Sequence, residues 1–230
     1  MGSVLITHKR LLQVNLISHC VLPGLALALA LGLDPSAGGV ISGLVGAIAA
    51  ESLTNRKNQN YEAVMNTILA GSMGLGVLLI PLLGIRIDLE AVLFGDLLTA
   101  NLSDLLRTLI AFSAFICLML FGYDKLVHIG LDPEGAASSG VNVSFLNIVL
   151  GFTTALVIVS SMSAVGVILV IALLSTPTLL GLHKARSLRT AMVRSSIFGL
   201  IISLIGFLLA IIMNLPPGPL ISCLLYTSPS

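Results

Sequence analysis

The side chains suited to chemistry are few, and the first pair lies inside an apolar stretch. His19 closes the run Asn15-Leu16-Ile17-Ser18-His19. Residues four apart share one face of a helix, so Asn15 and His19 project together. An imidazole nitrogen beside an amide oxygen can contact a divalent cation in transit, since imidazole suits several transition metals. The same histidine can also serve structure alone, hydrogen-bonded to a neighbouring helix. Inside a membrane span an ionisable residue is a functional hypothesis by default. Pro23-Gly24 follows four residues later. A proline there frees a backbone carbonyl and weakens the helix locally, which suits a gate and equally suits a tolerated kink.

The second group is Asp132, Pro133, Glu134, Ala136 and Gly140, within LDPEGAASSGVNV from Leu131 to Val143. This polar, small-residue insert lies between two strongly apolar segments. It reads as a short docking helix that a soluble partner touches. Asp132 and Glu134 either contact that partner or favour the helix N-terminus, where negative charge is stabilised.

Other candidates carry less. Glu51 and Glu62 sit near span ends, where water solvates them. His8, His128 and His183 have no partner at metal-ligand spacing, and neither do Cys20, Cys117 and Cys223. Two of the cysteines lie in apolar runs and read as small packing residues, and the seven methionines read as packing too. The chain holds no Gly-rich loop followed by Lys-Ser/Thr, no HExxH and no Gly-x-Ser-x-Gly. An enzyme reading has no residues to stand on, and any ATP hydrolysis is expected on another chain.

The elements that must position these residues are transmembrane helices. The 230 residues are 57% hydrophobic and 9% charged, against about 25% charged in soluble domains. Too little polar surface exists to cover a soluble core, so the fold class is all-α and polytopic. No alternating segments of barrel type are evident. Seven spans can be drawn, near 11–33, 37–53, 62–85, 104–123, two within 144–182, and 195–213. The 144–182 stretch exceeds the roughly 20 residues one span needs, and Ser160-Ser161-Met162-Ser163 is expected to divide it by a tight turn. Arg86 to Ser103 is too polar to span and is expected to lie along the membrane surface. Asn214-Leu-Pro-Pro-Gly-Pro219 cannot continue a helix.

Charge sets the orientation. Nine of the eleven basic residues (Lys9, Arg10, Arg56, Lys57, Lys125, Lys184, Arg186, Arg189 and Arg194) fall on one side of these spans. Arg86 and Arg107 fall on the other. The positive-inside rule makes the first side cytoplasmic, and the 131–143 insert lies there. The net charge of +1, with no large basic patch, gives no argument for nucleic acid. Residues 1–222 read as one transmembrane domain whose first six residues look like the tail of an earlier helix, implying a truncated N-terminus. Residues 223–230 read as a non-native or disordered tail.

Several motifs in order resemble the membrane permeases of metal-ion ABC importers, the zinc, manganese and iron group. Ser18-His19-Cys20-Val21-Leu22-Pro23-Gly24 is similar to the family's Ser-His-x-Val-Leu-Pro-Gly, and Leu93-Phe94-Gly95-Asp96 to its Leu-Phe-Gly-Asp element. Asp132-Pro133-Glu134 with Ala136 and Gly140 resembles its cytoplasmic coupling region. Ala164-Val165-Gly166 through Pro177 resembles its paired late spans, and Leu215 to Pro219 its outer Leu-Pro-x-Gly-Pro end. Each motif is weak alone; the ordered set covers nearly the whole chain and is most similar to cyanobacterial manganese permeases.

The resemblance implies a homodimer in the bacterial plasma membrane, two cytoplasmic ABC ATPase subunits that carry ATP, and an extracytoplasmic metal-binding protein. It implies one further N-terminal helix, a transported divalent metal and no cofactor resident on this chain. It also implies that the histidine, with the residue four before it, contacts metal at the gate. That earlier residue is often aspartate in the family, and here it is Asn15, which makes a softer site. Zinc or chelated iron are alternative cargoes. A proton-coupled carrier and a non-transporting scaffold are rivals of other classes; the carrier would be expected to show acidic or histidine relays within spans, and only His19 is clearly there.

Overall fold

The computed structural model describes residues 1–8, 10–57, 60–85, 102–182, 185 and 187–227, and every regular element among them is an α-helix. They are α1 (Gly2–Thr7), α2 (Leu11–Ala30), α3 (Pro35–Lys57), α4 (Tyr61–Leu82), α5 (Leu102–Leu131) and α6 (Pro133–Ser138). A 40-residue helical run, Val143–Leu182, breaks at Gly166 into α7 (Val143–Met162) and α8 (Val165–Leu182). Helices α9 (Leu188–Met213) and α10 (Pro217–Thr227) complete the chain. Seven of these are long and apolar enough to cross a membrane: α2, α3, α4, α5, α7, α8 and α9. The Leu-Phe-Gly-Asp element at 93–96 lies outside the described residues, as do Lys9, His183, Lys184 and Arg186.

The sequence reading differs from the structure at several boundaries; α9, for one, begins at Leu188 and not at Ser195. The 144–182 stretch does not turn at the serines. The Ser160 hydroxyl donates to the Leu156 carbonyl at 2.6 Å, a back-bond that keeps serine within a helix. The break comes at Gly166, whose φ of 78° and ψ of 158° only a residue without Cβ adopts cheaply. The fourth span also runs eight residues further than expected, so Asp124 to Leu131 belongs to α5 rather than to the insert. At the other end of the chain, α10 carries through to Thr227, and Leu225 is buried with Leu169 and Ile221. Residues 223–227, the first five of the expected tail, belong to α10.

The chain forms two compact units. One comprises Leu12–Asp88 and Asn147–Ser160, the other Met1–Leu11, Leu89–Leu146 and Ser161–Ser230. In the first, α2 and α3 meet through glycines. A Cβ placed on Gly43 would stand 3.0 Å from Ile17 Cγ2, and one on Gly46 would stand 3.0 Å from Cys20 Cβ. The segment 147–160 joins this packing, with Val159 at 3.4 Å from such an atom on Gly39. Small residues allow this approach, and in lipid that packing substitutes for the hydrophobic drive.

In the second unit α1 lies against α5, α8 and α9. Ser3 and Ser195 hydroxyls are 3.3 Å apart. His8 Nε2 is 2.9 Å from the Leu126 carbonyl, so the imidazole donates there. Burial pushes the His8 pKa below its ordinary value; the Leu126 carbonyl pulls it back up and Arg10 pushes it down again. The folded protein therefore binds this proton less readily than the unfolded chain, whose histidine titrates near 6.5. The neutral-histidine contribution is complete above that pH and is lost as pH falls through the folded value. In detergent, wild type is expected to lose melting temperature relative to His8→Gln as pH drops from about 6.5 to about 5, with a constant difference above 7. Parallel profiles would count against the assignment.

Candidate functional site

Helix α2 is buried almost all round from Gln13 to Gly24, while Leu27 and Leu29 are exposed. Between Leu12 and Leu22 only Leu12, Asn15 and His19 escape burial, while Gln13, Val14, Leu16, Ile17, Ser18, Cys20 and Val21 are all covered. The spacing of three and four places the exceptions on one face. The Asn15–His19 pair therefore lies on the single stripe that helices of its own unit leave open. Neither side chain has a hydrogen-bond partner among the described residues. Ser18, between them in sequence, is satisfied by donating to the Val14 carbonyl at 2.8 Å.

One turn further on, the helix is clasped. Pro23 cannot donate to the carbonyl of His19, four residues earlier. Both Pro23 and Gly24 are buried, and the backbone remains helical through them. On one side stands α3: a Cβ on Gly24 would strike the Gly38 carbonyl oxygen and the Ser42 hydroxyl. On the other stands α4: a Cβ on Gly76 would lie 3.0 Å from Pro23 N. Ser42 Oγ donates to the Cys20 carbonyl at 2.6 Å, and Cys20 Sγ donates to Ser72 Oγ at 3.2 Å. The weak point of α2 is thus held by two neighbours through backbone-close contacts. Sequence reading identified Pro23 and Gly24 but not Ser42, Ser72 and Gly76. Their signal, a small residue opposite a proline, exists only once the pairing of helices is known.

A second polar set faces elsewhere. Gln13 is buried, and its Nε2 would stand 3.9 Å from a Cβ on Gly151 of α7. One turn before Gly151, Asn147 Oδ1 is buried without a partner among the described residues. No group of three or more His, Cys, Asp or Glu gathers among the described residues. Asn15 and His19 therefore supply at most two side-chain donors from one copy.

In the other unit, the insert residues resolve into caps and one free side chain. Asp132 Oδ1 accepts from the Gly135 amide at 2.9 Å, an N-cap worth about 1 kcal/mol. Pro133 takes the first helical position, where its missing N–H costs nothing. Gly140 has φ 83°, and the Val141 and Gly140 amides bond to the Ala136 and Ala137 carbonyls, each at 3.1 Å. This is a Schellman stop. Ala136 is fully buried. A six-residue helix is too short to persist without such ends. Glu134 alone among the five is exposed with no partner among the described residues.

The profile described as the ABC 3 transport family matches residues 1–228. An uncharacterized membrane protein of Cyanophora paradoxa, from the ycf23-apcF intergenic region, is 34% identical over 96% of the chain and 74% of its own length. The manganese transport system membrane protein MntC of Listeria monocytogenes is 30% identical over 94% of the chain and 78% of its own. The chelated iron transport system membrane protein YfeD of Yersinia pestis is 32% identical over 91% and 71%. Among solved structures, PsaBC from Streptococcus pneumoniae in complex with Fab matches with a TM-score of 0.87 and 29% identity, over 98% of this chain and 82% of that one.

Proposed function

This chain belongs to the ABC 3 transport family, and from that premise we propose that it is the permease subunit of an ATP-driven importer carrying a divalent metal, manganese first, into the cytoplasm. The observation that carries the reading is the open Asn15–His19 stripe on a stretch of α2, Gln13 to Leu22, that is otherwise buried. A polar face in a span is costly against lipid; it belongs against a second copy of the chain, whose own pair would complete a four-donor passage. An amide and an imidazole hold a cation softly, and conduction requires a site that releases as well as binds. The manganese preference is supported by MntC, and YfeD keeps chelated iron as the competing cargo.

ATP would act from outside this chain. In this reading two ABC ATPase subunits dock on α6 through Glu134, while Asp132, Pro133, Ala136 and Gly140 keep that helix formed. The force has a covalent route. Four residues, Ser139 to Asn142, join α6 to α7, and Asn142 Oδ1 accepts from the Phe145 amide at 3.0 Å. Residues 147–160 of α7 then pack beside Gly39, Gly43 and Gln13. A push on α6 thereby reaches the helices that clasp Pro23 and Gly24. Metal arrives from an extracytoplasmic binding protein.

The deciding experiment expresses the permease with its ATPase and binding protein in cells lacking manganese uptake. Glu134→Arg is expected to release the ATPase on pull-down and to abolish uptake, while membrane insertion persists. Uptake that continues without the ATPase would make the chain a secondary carrier. Accumulation of zinc or iron in preference to manganese would correct the cargo.

A further inference from the structure

A groove of about 550 Å³ beside α2 is lined almost wholly by apolar residues, but a second one, of about 660 Å³, has a charged mouth. It runs along α5 from Phe115 to Lys125 and is closed on the other side by the first turns of α9, Arg189 to Val193. All of it lies within one unit. Its floor is Phe115, Ile116, Met119 and Leu120; its mouth carries Tyr123, Asp124, Lys125 and Arg189.

The dimensions and the chemistry have one simple occupant. Ten residues of α5 separate the two ends, about 15 Å at the helical rise of 1.5 Å per residue. That is half of the roughly 30 Å hydrocarbon core, the depth of a single leaflet. Lys125 and Arg189 both fall in the cytoplasmic set of basic residues. Neither has a hydrogen bond or ion pair among the described residues, and the same holds for Asp124. Two cations against one carboxylate leave the mouth positive. Arginine forks onto phosphate oxygens, lysine adds a point charge, and tyrosine is at home at headgroup level. Basic pockets between helices on the cytoplasmic side are suited to acidic headgroups.

We propose that this groove binds an anionic phospholipid of the cytoplasmic leaflet, one acyl chain along α5 and the headgroup phosphate between Arg189 and Lys125. The lipid would brace the start of α9 against the end of α5, the helix that leads directly into α6. The inference requires only that the chain spans a membrane; it does not depend on the cargo or on an ATPase.

The test purifies the full-length permease with its ATPase from nanodiscs of phosphatidylglycerol or of phosphatidylcholine with matched chains, and counts retained lipid by native mass spectrometry. Wild type is expected to keep about one phosphatidylglycerol per permease and to retain phosphatidylcholine about tenfold less, because two basic contacts act on the acidic headgroup. Lys125→Gln with Arg189→Gln should remove that preference. Met119→Trp, which fills the floor and leaves the charges, should displace the lipid as well, and it serves if the double variant does not fold. Equal retention of the two lipids by wild type overturns the proposal. So does phosphatidylglycerol retained unchanged by the variants, and if the double variant then sheds the ATPase, the mouth is a protein contact instead. Loss of metal uptake with lipid retention intact would touch the transport reading alone.

Discussion

Valine at Gly24 or at Gly38 is expected to destabilise the permease by about 2–4 kcal/mol, a large share of its folding margin. The reason is what stands opposite. A Cβ on Gly24 would meet the carbonyl oxygen of Gly38, and a Cβ on Gly38 would meet the carbonyl of Gly24 and stand 2.5 Å from Ala28 Cβ. Both obstacles are main chain, so no side-chain rotation relieves them and α2 must move away from α3. Overpacking a core typically costs about 1–3 kcal/mol, and here the separation also breaks the Ser42 to Cys20 hydrogen bond, worth about 1 kcal/mol more. Against a total stability of about 5–15 kcal/mol, two methyl groups beyond the Cβ exhaust much of the margin. Gly71 and Gly74 provide the contrast, since a Cβ at either meets nothing within 4 Å. Alanine there should be silent or slightly stabilising, as alanine outranks glycine in a helix by about 1 kcal/mol. Melting curves followed by size-exclusion chromatography in detergent decide the matter. If Gly24→Ala and Gly38→Ala melt with Gly71→Ala, the close α2–α3 approach is wrong.

That contrast also shows what could be read from residues alone. Glycines in a membrane helix allow close helix approach, but the pattern does not say which of the chain's 22 glycines face a backbone and which face open space. Gly38 and Gly74 look alike in sequence; the difference is the partner helix. The seven spans were legible because apolar length is a one-dimensional property set by bilayer thickness. The break at Gly166 was not, because serines signal turns in water yet satisfy themselves inside a helix by back-bonding, as Ser160 does. Asp132, Pro133 and Gly140 were singled out together with Glu134 as one coupling group. The caps divide them: three build the ends of a short helix, and Glu134 is exposed with no partner among the described residues. On α2, the spacing of four gave the Asn15–His19 face directly. That α2 is buried around it from Gln13 to Leu22 required the structure.

His19→Ala is expected to cut metal uptake by at least about tenfold, the loss that removing even an outer partner inflicts on a metal site, while the ATPase stays bound and the protein stays folded. The stripe carries two donors, and among the described residues no third His, Cys, Asp or Glu stands with them to compensate. Removing the imidazole leaves the amide oxygen of Asn15, a weak ligand with no charge. The stripe is half-exposed and unpartnered within its unit, so alanine there opens no large cavity and strands no buried donor; the loss should fall on transport and not on stability. Asn15→Asp moves the site the other way. A unit negative charge about 4 Å from a unit positive one is worth about 4 kcal/mol at an effective dielectric of 20, and a divalent ion doubles it. Metal should then be held more tightly at the stripe: half-saturation falls, and so does the maximal rate, because release becomes the slow step. Radiolabelled manganese uptake by proteoliposomes across a range of external metal separates the two variants. Uptake by His19→Ala within twofold of wild type would remove His19 from the path. An Asn15→Asp variant with both constants unchanged would put the cation's route somewhere other than this face of α2.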